Sequence, residues 1–201
     1  PAAILIEAIK ILHSQLQWNL MVMLALPNAP TPEEVENLAK LNNEFMNILG
    51  FYLEQGHEQL KELREAAYIS TCDLLLDFSP ALIKDSPLSK YDRSTCLEPL
   101  IYLGNDEIFH QLTIFVQIRC FSDDSLNLEG DNVNFLNATE NACLTEDEKI
   151  AKCLERQHEN RSLLTGLCKL IIYRRIPMEY SSIIFANYLR TFANFSDIIR
   201  H

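Results

Sequence analysis

The sequence predicts an all-α chain, and three observations predict it. Apolar residues recur at spacings of three and four along most of the length, the mark of helices that bury one face. Two capping boxes, Thr31-Pro32-Glu33-Glu34 and Thr145-Glu146-Asp147-Glu148, announce helix starts. No stretch alternates with period two for long enough to make a sheet, and five glycines are too few for the turns of an all-β chain of 201 residues. The predicted arrangement is a HEAT-like helical repeat array, whose repeats are about 40 residues long. An irregular helical bundle fits the same pattern.

The first helix is predicted over 2–26, where Ile4, Ile6, Ile9, Ile11, Leu12, Leu16, Leu20, Val22 and Leu24 give a broad apolar surface. A helix apolar over so much of its girth is expected to lie between neighbours. Pro27, Pro30 and Pro32 end it. The second runs from Pro32 to about Glu54, with Val35, Leu38, Leu41, Phe45, Ile48, Leu49 and Tyr52 on one face, and Gly56 interrupts it. The third is expected over 57–78, ending at Ser79-Pro80. A polar loop follows over 84–93, then shorter helices over 94–103 and 106–121. Residues 122–144 are rich in Asp, Asn and Ser without a period, which predicts a surface insertion. The second capping box opens a helix over 146–175, ended by Pro177. Another is expected over 178–194, with Ser196-Asp197 starting one more. The whole of 1–201 reads as one helical-repeat segment.

The longest uncharged apolar run, 11–32, carries His13, Gln15, Gln17 and Asn19, too polar for a membrane span. No basic stretch precedes the early apolar residues, so no signal peptide is expected. The start at Pro1, without Met, suggests a piece of a longer protein. Six cysteines (Cys72, Cys96, Cys120, Cys143, Cys153, Cys168) show no zinc or redox spacing and are expected as reduced thiols. The sequons at Asn137, Asn160 and Asn194 then carry no meaning. The five histidines are scattered, and no metal site or cofactor is expected. Asp73 and Asp77 share a helix face and could make an acid–base pair, but flanking an exposed face is the simpler role. No glycine-rich loop cradles phosphate. A small helical enzyme is the remote alternative.

Charge is uneven. Residues 1–148 carry a net −16 and 149–201 a net +5, giving −11 in all. The basic rear could meet an acidic peptide, a phosphate backbone or an acidic neighbouring surface. There the aromatics and cations mix, as at interaction hot spots. The expected partner-binding set is Lys169, Tyr173, Arg174, Arg175, Tyr188 and Arg190. Changing Arg174 and Arg175 together to Glu is expected to spare the fold and weaken binding. A nucleic-acid-binding solenoid is the alternative, although the patch lacks a dense Lys/Arg run.

Several segments carry a family resemblance: HSQLQWNL (His13 onward), KELREAAYISTCDLLLDFSPAL (Lys61 onward), SLNLEGD (Ser125 onward), RSLLTGLCKLIIY (Arg161 onward) and FANYLRTFANFSDIIR (Phe185 onward). In order and approximate spacing the chain resembles the cohesin stromal antigen (stromalin) subunits. That resemblance implies a non-enzymatic nuclear scaffold on chromosomes, hook-shaped and gripping a kleisin along this part of the array. Where typical stromalins are acidic after LIIY, this chain has Arg174-Arg175-Ile176-Pro177. The departure points to a divergent, meiosis-specific member acting in homologue pairing, with a peptide of a kleisin or a meiotic replacement as partner. DNA is a further candidate partner, and no membrane is expected.

Overall fold

The computed structural model describes residues 2–25, 30–54, 60–84, 96–121 and 145–200. All regular structure among them is helical: α1 (Ala2–Ala25), α2 (Pro32–Leu53), α3 (Lys61–Asp77), α4 (Pro80–Lys84), α5 (Asp106–Phe121), α6 (Glu146–Ile172) and α7 (Ser182–Arg200). Two 3-10 turns, Glu98–Leu100 and Met178–Ser181, sit in the connections. The all-α prediction stands, and a HEAT-like array fits the helix order.

Both capping boxes form. Thr31 Oγ1 accepts from the Glu34 N–H at 3.3 Å while Glu34 accepts from the Thr31 N–H at 2.7 Å. Thr145 and Glu148 do the same at 3.4 and 2.8 Å. Each satisfies two backbone groups that a helix start leaves open.

At the centre is α3, packed against α1, α2 and α6. Leu63, Ala67, Tyr68, Cys72, Leu74 and Leu75 are all buried on it. So are three polar residues, Arg64, Ser70 and Thr71, and two of them make clear hydrogen bonds to backbone carbonyls. Arg64 donates to the Leu53 carbonyl at 3.2 Å and lies over the Phe115 ring at 5.2 Å. Thr71 donates back to the Ala67 carbonyl. Tyr68 stacks on Phe115 of α5, with centroids 5.1 Å apart, and its hydroxyl donates to the Leu163 carbonyl of α6 at 2.9 Å. One side chain thus joins three helices. Burial pushes the thiols of Cys72 and Cys120 up to about 12, so both stay protonated, as inert core residues do.

Three boundary expectations are corrected. The helix expected over 94–103 is a single 3-10 turn in the described residues, because Pro99 has no N–H to continue a ladder and Ile101 is extended. The helix expected over 178–194 begins as a 3-10 turn, which Ser181 Oγ closes by donating to the Met178 carbonyl. It then runs unbroken to Arg200. Arg161 of α6 holds the expected break point by bonding the Asn194 carbonyl and both carboxylate oxygens of Asp197. Third, α6 stops at Ile172 instead of 175. The insertion expected over 122–144 lies outside the described residues, and so does the loop expected over 84–93 apart from Lys84, which is the last residue of α4.

That last boundary redefines the arginine pair. Arg174 has φ +55°, the left-handed conformation that usually falls to glycine. Its N–H bonds the Ile171 carbonyl while the Arg175 N–H bonds that of Leu170, the two bonds of a Schellman stop. Reversing the chain there turns Arg175 inward. Arg175 is 8% exposed and donates to the Leu75 carbonyl at the end of α3 (2.7 Å) and to the Tyr102 carbonyl. A cation at the C-terminal end of α3 also suits the helix dipole. The expectation that both arginines are surface charges is therefore wrong for Arg175, and the double change to Glu would damage the fold.

Gly104, at φ +74°, turns the chain into α5, and a Cβ there would come within 2.5 Å of the Phe109 ring. The connection can take no other residue without displacing that ring.

Opposite outcomes are expected at the two arginines. Arg175→Met should cost about 2–4 kcal/mol, because it orphans two buried carbonyls. Arg174→Gly should add about 0.5–1 kcal/mol by relieving the left-handed conformation. Urea unfolding of both variants checks this. Equal effects would mean that both side chains are on the surface.

Candidate functional site

A groove of about 380 Å³ runs between α3 and α6. Its α6 wall is built by helical periodicity: His158, Ser162, Thr165 and Lys169 fall on one face at steps of three and four. Tyr173, 65% exposed, follows one turn beyond Lys169. The α3 wall presents Ile69, Asp73 and Leu76, and Ile198 of α7 closes one end. Gly166 forms part of the floor over the buried Tyr68 and Cys72.

The groove is electrically mixed. Lys169 and His158 are exposed on its rim. Arg161 is occupied by Asp197, whose carboxyl its hydrogen bond holds below the usual range. Opposite, burial raises the Asp73 carboxyl above its usual range, while His13 and Lys169 act to lower it. Asp77 accepts from Gln17 of α1 at 2.7 Å. The two aspartates thus face α1 and the groove, and do not simply flank a solvated face. Behind the groove, Arg119 of α5 bridges Glu65 of α3 at 3.1 Å and Glu159 of α6 at 3.5 Å, fixing the spacing of the walls. Among the described residues no three His, Cys, Asp or Glu side chains gather to hold a metal, and no helix is long and apolar enough to cross a membrane.

Of the predicted set, the structure brings Lys169 and Tyr173 onto one face and leaves Arg174 exposed in the turn beyond them. Arg175 is internal. Tyr188 and Arg190 lie on α7, but their side chains are outside the described ones. Sequence reasoning missed Ile69, Asp73, Ser162 and Thr165 as groove residues. The facing of α3 and α6, some ninety positions apart, leaves no local mark. A glycine in the middle of a strongly helical run, Gly166, was the one available signal.

No family model matches the chain. Over 200 residues it is 28% identical to cohesin subunit SA-1 of Xenopus laevis, covering 98% of this chain and 14% of that relative. Over 139 residues it is 27% identical to cohesin subunit SA-3 of Homo sapiens, covering 69% of this chain and 10% of the relative. Over 198 residues it is 25% identical to cohesin subunit scc-3 of Caenorhabditis elegans, covering 97% and 15%. The chain thus spans about a tenth to a seventh of the length of these curated relatives. The resemblance to the stromal antigen subunits holds along nearly the whole chain, at identities that fit a divergent member.

Gly166→Ala separates packing from groove depth. An added Cβ would meet Cys72 Sγ and the Tyr68 ring at 3.6 Å, ordinary contact. The variant should therefore gain up to about 1 kcal/mol from helix propensity while making the groove shallower. A melting temperature below that of the parent would show the floor to be tighter than these distances allow.

Proposed function

We propose that the chain is a non-enzymatic scaffold segment of a cohesin stromal antigen-type protein, and that its α3–α6 groove receives a peptide of a chromosomal partner. The observation that carries this is the α6 wall. An exposed cation, Lys169, and two hydroxyls, Ser162 and Thr165, line up beside an apolar strip, Ile69, Leu76 and Ile198, along a groove with room for side chains, and the exposed Tyr173 follows just past the end of α6. Such a wall suits an extended or helical segment with acidic residues toward Lys169 and Arg174 and one apolar anchor on the strip. The relatives are named as cohesin subunits, which supports a partner from the same chromosomal setting, a kleisin or its meiotic replacement. Nuclear, chromosome-bound location and a part in cohesion or homologue pairing follow from the same reading.

The second reading, nucleic acid, draws on the net +5 of 149–201. The structure weakens it. Arg175 is spent on two backbone carbonyls and Arg161 on Asp197, so the basic surface is thinner than the count.

Overlapping kleisin peptides and a labelled DNA duplex, titrated by fluorescence anisotropy, discriminate the readings. An acidic peptide should bind, and Lys169→Glu with Arg174→Glu should weaken it at least about tenfold, the size of a modest hot spot. Helical content should stay unchanged, since both side chains are exposed. Binding of the duplex alone, falling steeply with salt, would favour the second reading. A double variant that binds the peptide as the parent does would move the interface off this groove.

A further inference from the structure

We infer that Asp73 sets the specificity of the α3–α6 groove, by requiring a Lys or Arg in the partner segment within one helical turn of its apolar anchor. This rests on the groove being a peptide site, as proposed above, and it narrows the partner. The segment is of mixed sign, basic at the anchor and acidic only beyond it.

Helical spacing puts Asp73 in the middle of the contact. Ile69, Asp73 and Leu76 follow one another at steps of four and three, so they share one face of α3. All three line the groove. An apolar side chain seated across Ile69 and Leu76 therefore covers Asp73 as well.

The groups around this carboxylate approach it without bonding it. His13 Nε2 of α1 stands 4.0 Å away, beyond hydrogen-bond reach, while its Nδ1 faces Ser70 Oγ at 3.5 Å. Asp77, one turn on, adds charge of the same sign and takes the Gln17 amide for itself. Among the described residues none donates a hydrogen bond to Asp73. Burial pushes its carboxyl above the usual range, and the charges of His13 and Lys169 offset only part of this.

The Asp73 side chain is 47% exposed, so its charge is still solvated in the free chain. A bound segment removes that solvation. An apolar or acidic segment would leave a covered, unpaired carboxylate, which is strongly unfavourable in an interface. A Lys or Arg of the partner supplies both the counter-charge and the donors, and Arg can bond both carboxylate oxygens.

The rest of the groove agrees. Its ionisable side chains besides Asp73 include Arg161, which is held by Asp197, and Lys169 on the opposite wall. Lys169 and Asp73 cancel, so the groove is no channel for a run of anions. Arg174 lies past the end of α6, and acidic residues of the partner belong there, outside the anchor. The same balance turns away phosphate chains and wholly acidic tails.

A displayed library of short random peptides, selected in parallel on the parent chain, Asp73→Asn and Asp73→Lys, tests this. The parent should enrich peptides with Lys or Arg within a turn of a large apolar residue. Asp73→Lys should enrich Asp or Glu at that place. By fluorescence anisotropy, exchanging the Lys or Arg of a selected peptide for Glu should weaken binding to the parent at least about tenfold, and Asp73→Lys should restore it. Should Asp73→Lys lose helical content, the near-isosteric Asp73→Asn decides alone. It should bind the selected peptide and its Met analogue equally well, whereas the parent separates them at least about tenfold. A loss that is the same for every peptide would make Asp73 merely structural and overturn the inference. Binders that respond to Lys169→Glu yet carry only acidic residues, whatever stands at 73, would overturn it and leave the groove reading intact. Binders indifferent to Lys169→Glu, or no binders at all, would remove the groove reading and this inference together.

Discussion

Everything in this fold rests on the burial of α3. A helix packed against α1, α2 and α6 cannot leave the polar groups of its buried face to water, so most of them bond inside the protein. The sequence solves this with long side chains that cross between elements. Arg64 reaches back to the end of α2, Tyr68 forward to α6, and Arg175 returns from beyond α6 to the last turn of α3. The first two also meet on Phe115, so α5 is held by the same residues that serve α3. These polar contacts fix how the apolar faces meet; the apolar burial supplies most of the driving force.

The reach of Arg175 shows why sequence reading went astray at that point. Two adjacent arginines before Ile-Pro look alike in a string, and a helix dipole explains either of them at a helix end. What separates them is a backbone event, the left-handed turn at Arg174, where no glycine announces it. By contrast the capping boxes were legible, because all their partners lie within four residues. The helix periods were legible for the same reason. The groove was not, since its walls come from segments whose meeting depends on the core. Lys169 and Tyr173 could be named as candidates from their types, whereas Asp73 and Thr165 acquire a place only once α3 and α6 face each other.

Charge changes meaning in the same way. The net +5 of the last fifty-odd residues suggested a basic surface. In the fold, part of that charge is internal and part is committed to Asp197, joining α6 to α7. What stays outward beside the groove is Lys169, with Arg174 just past it. That is a short cationic edge, matched to a few carboxylates of a peptide better than to the repeating phosphates of a duplex, which binding proteins usually meet with many cations.

The distribution of exposed apolar residues bears on the choice between an array and a closed bundle. Among the described residues the four most exposed large apolar side chains are Leu189 at 87%, Ile4 at 75%, Met178 at 71% and Trp18 at 70%. They fall on α1, on α7 and on the turn leading into it, the first and last of the described helices. A closed bundle turns every apolar stripe toward one shared centre. Stacked helix pairs instead bury each layer against the next and leave apolar surface on the outermost layers. The exposed Ile4, Ile11 and Trp18 of α1, opposite its buried Ile9, Leu16, Leu20 and Leu24, fit that geometry, because a helix inside a stack needs two apolar faces.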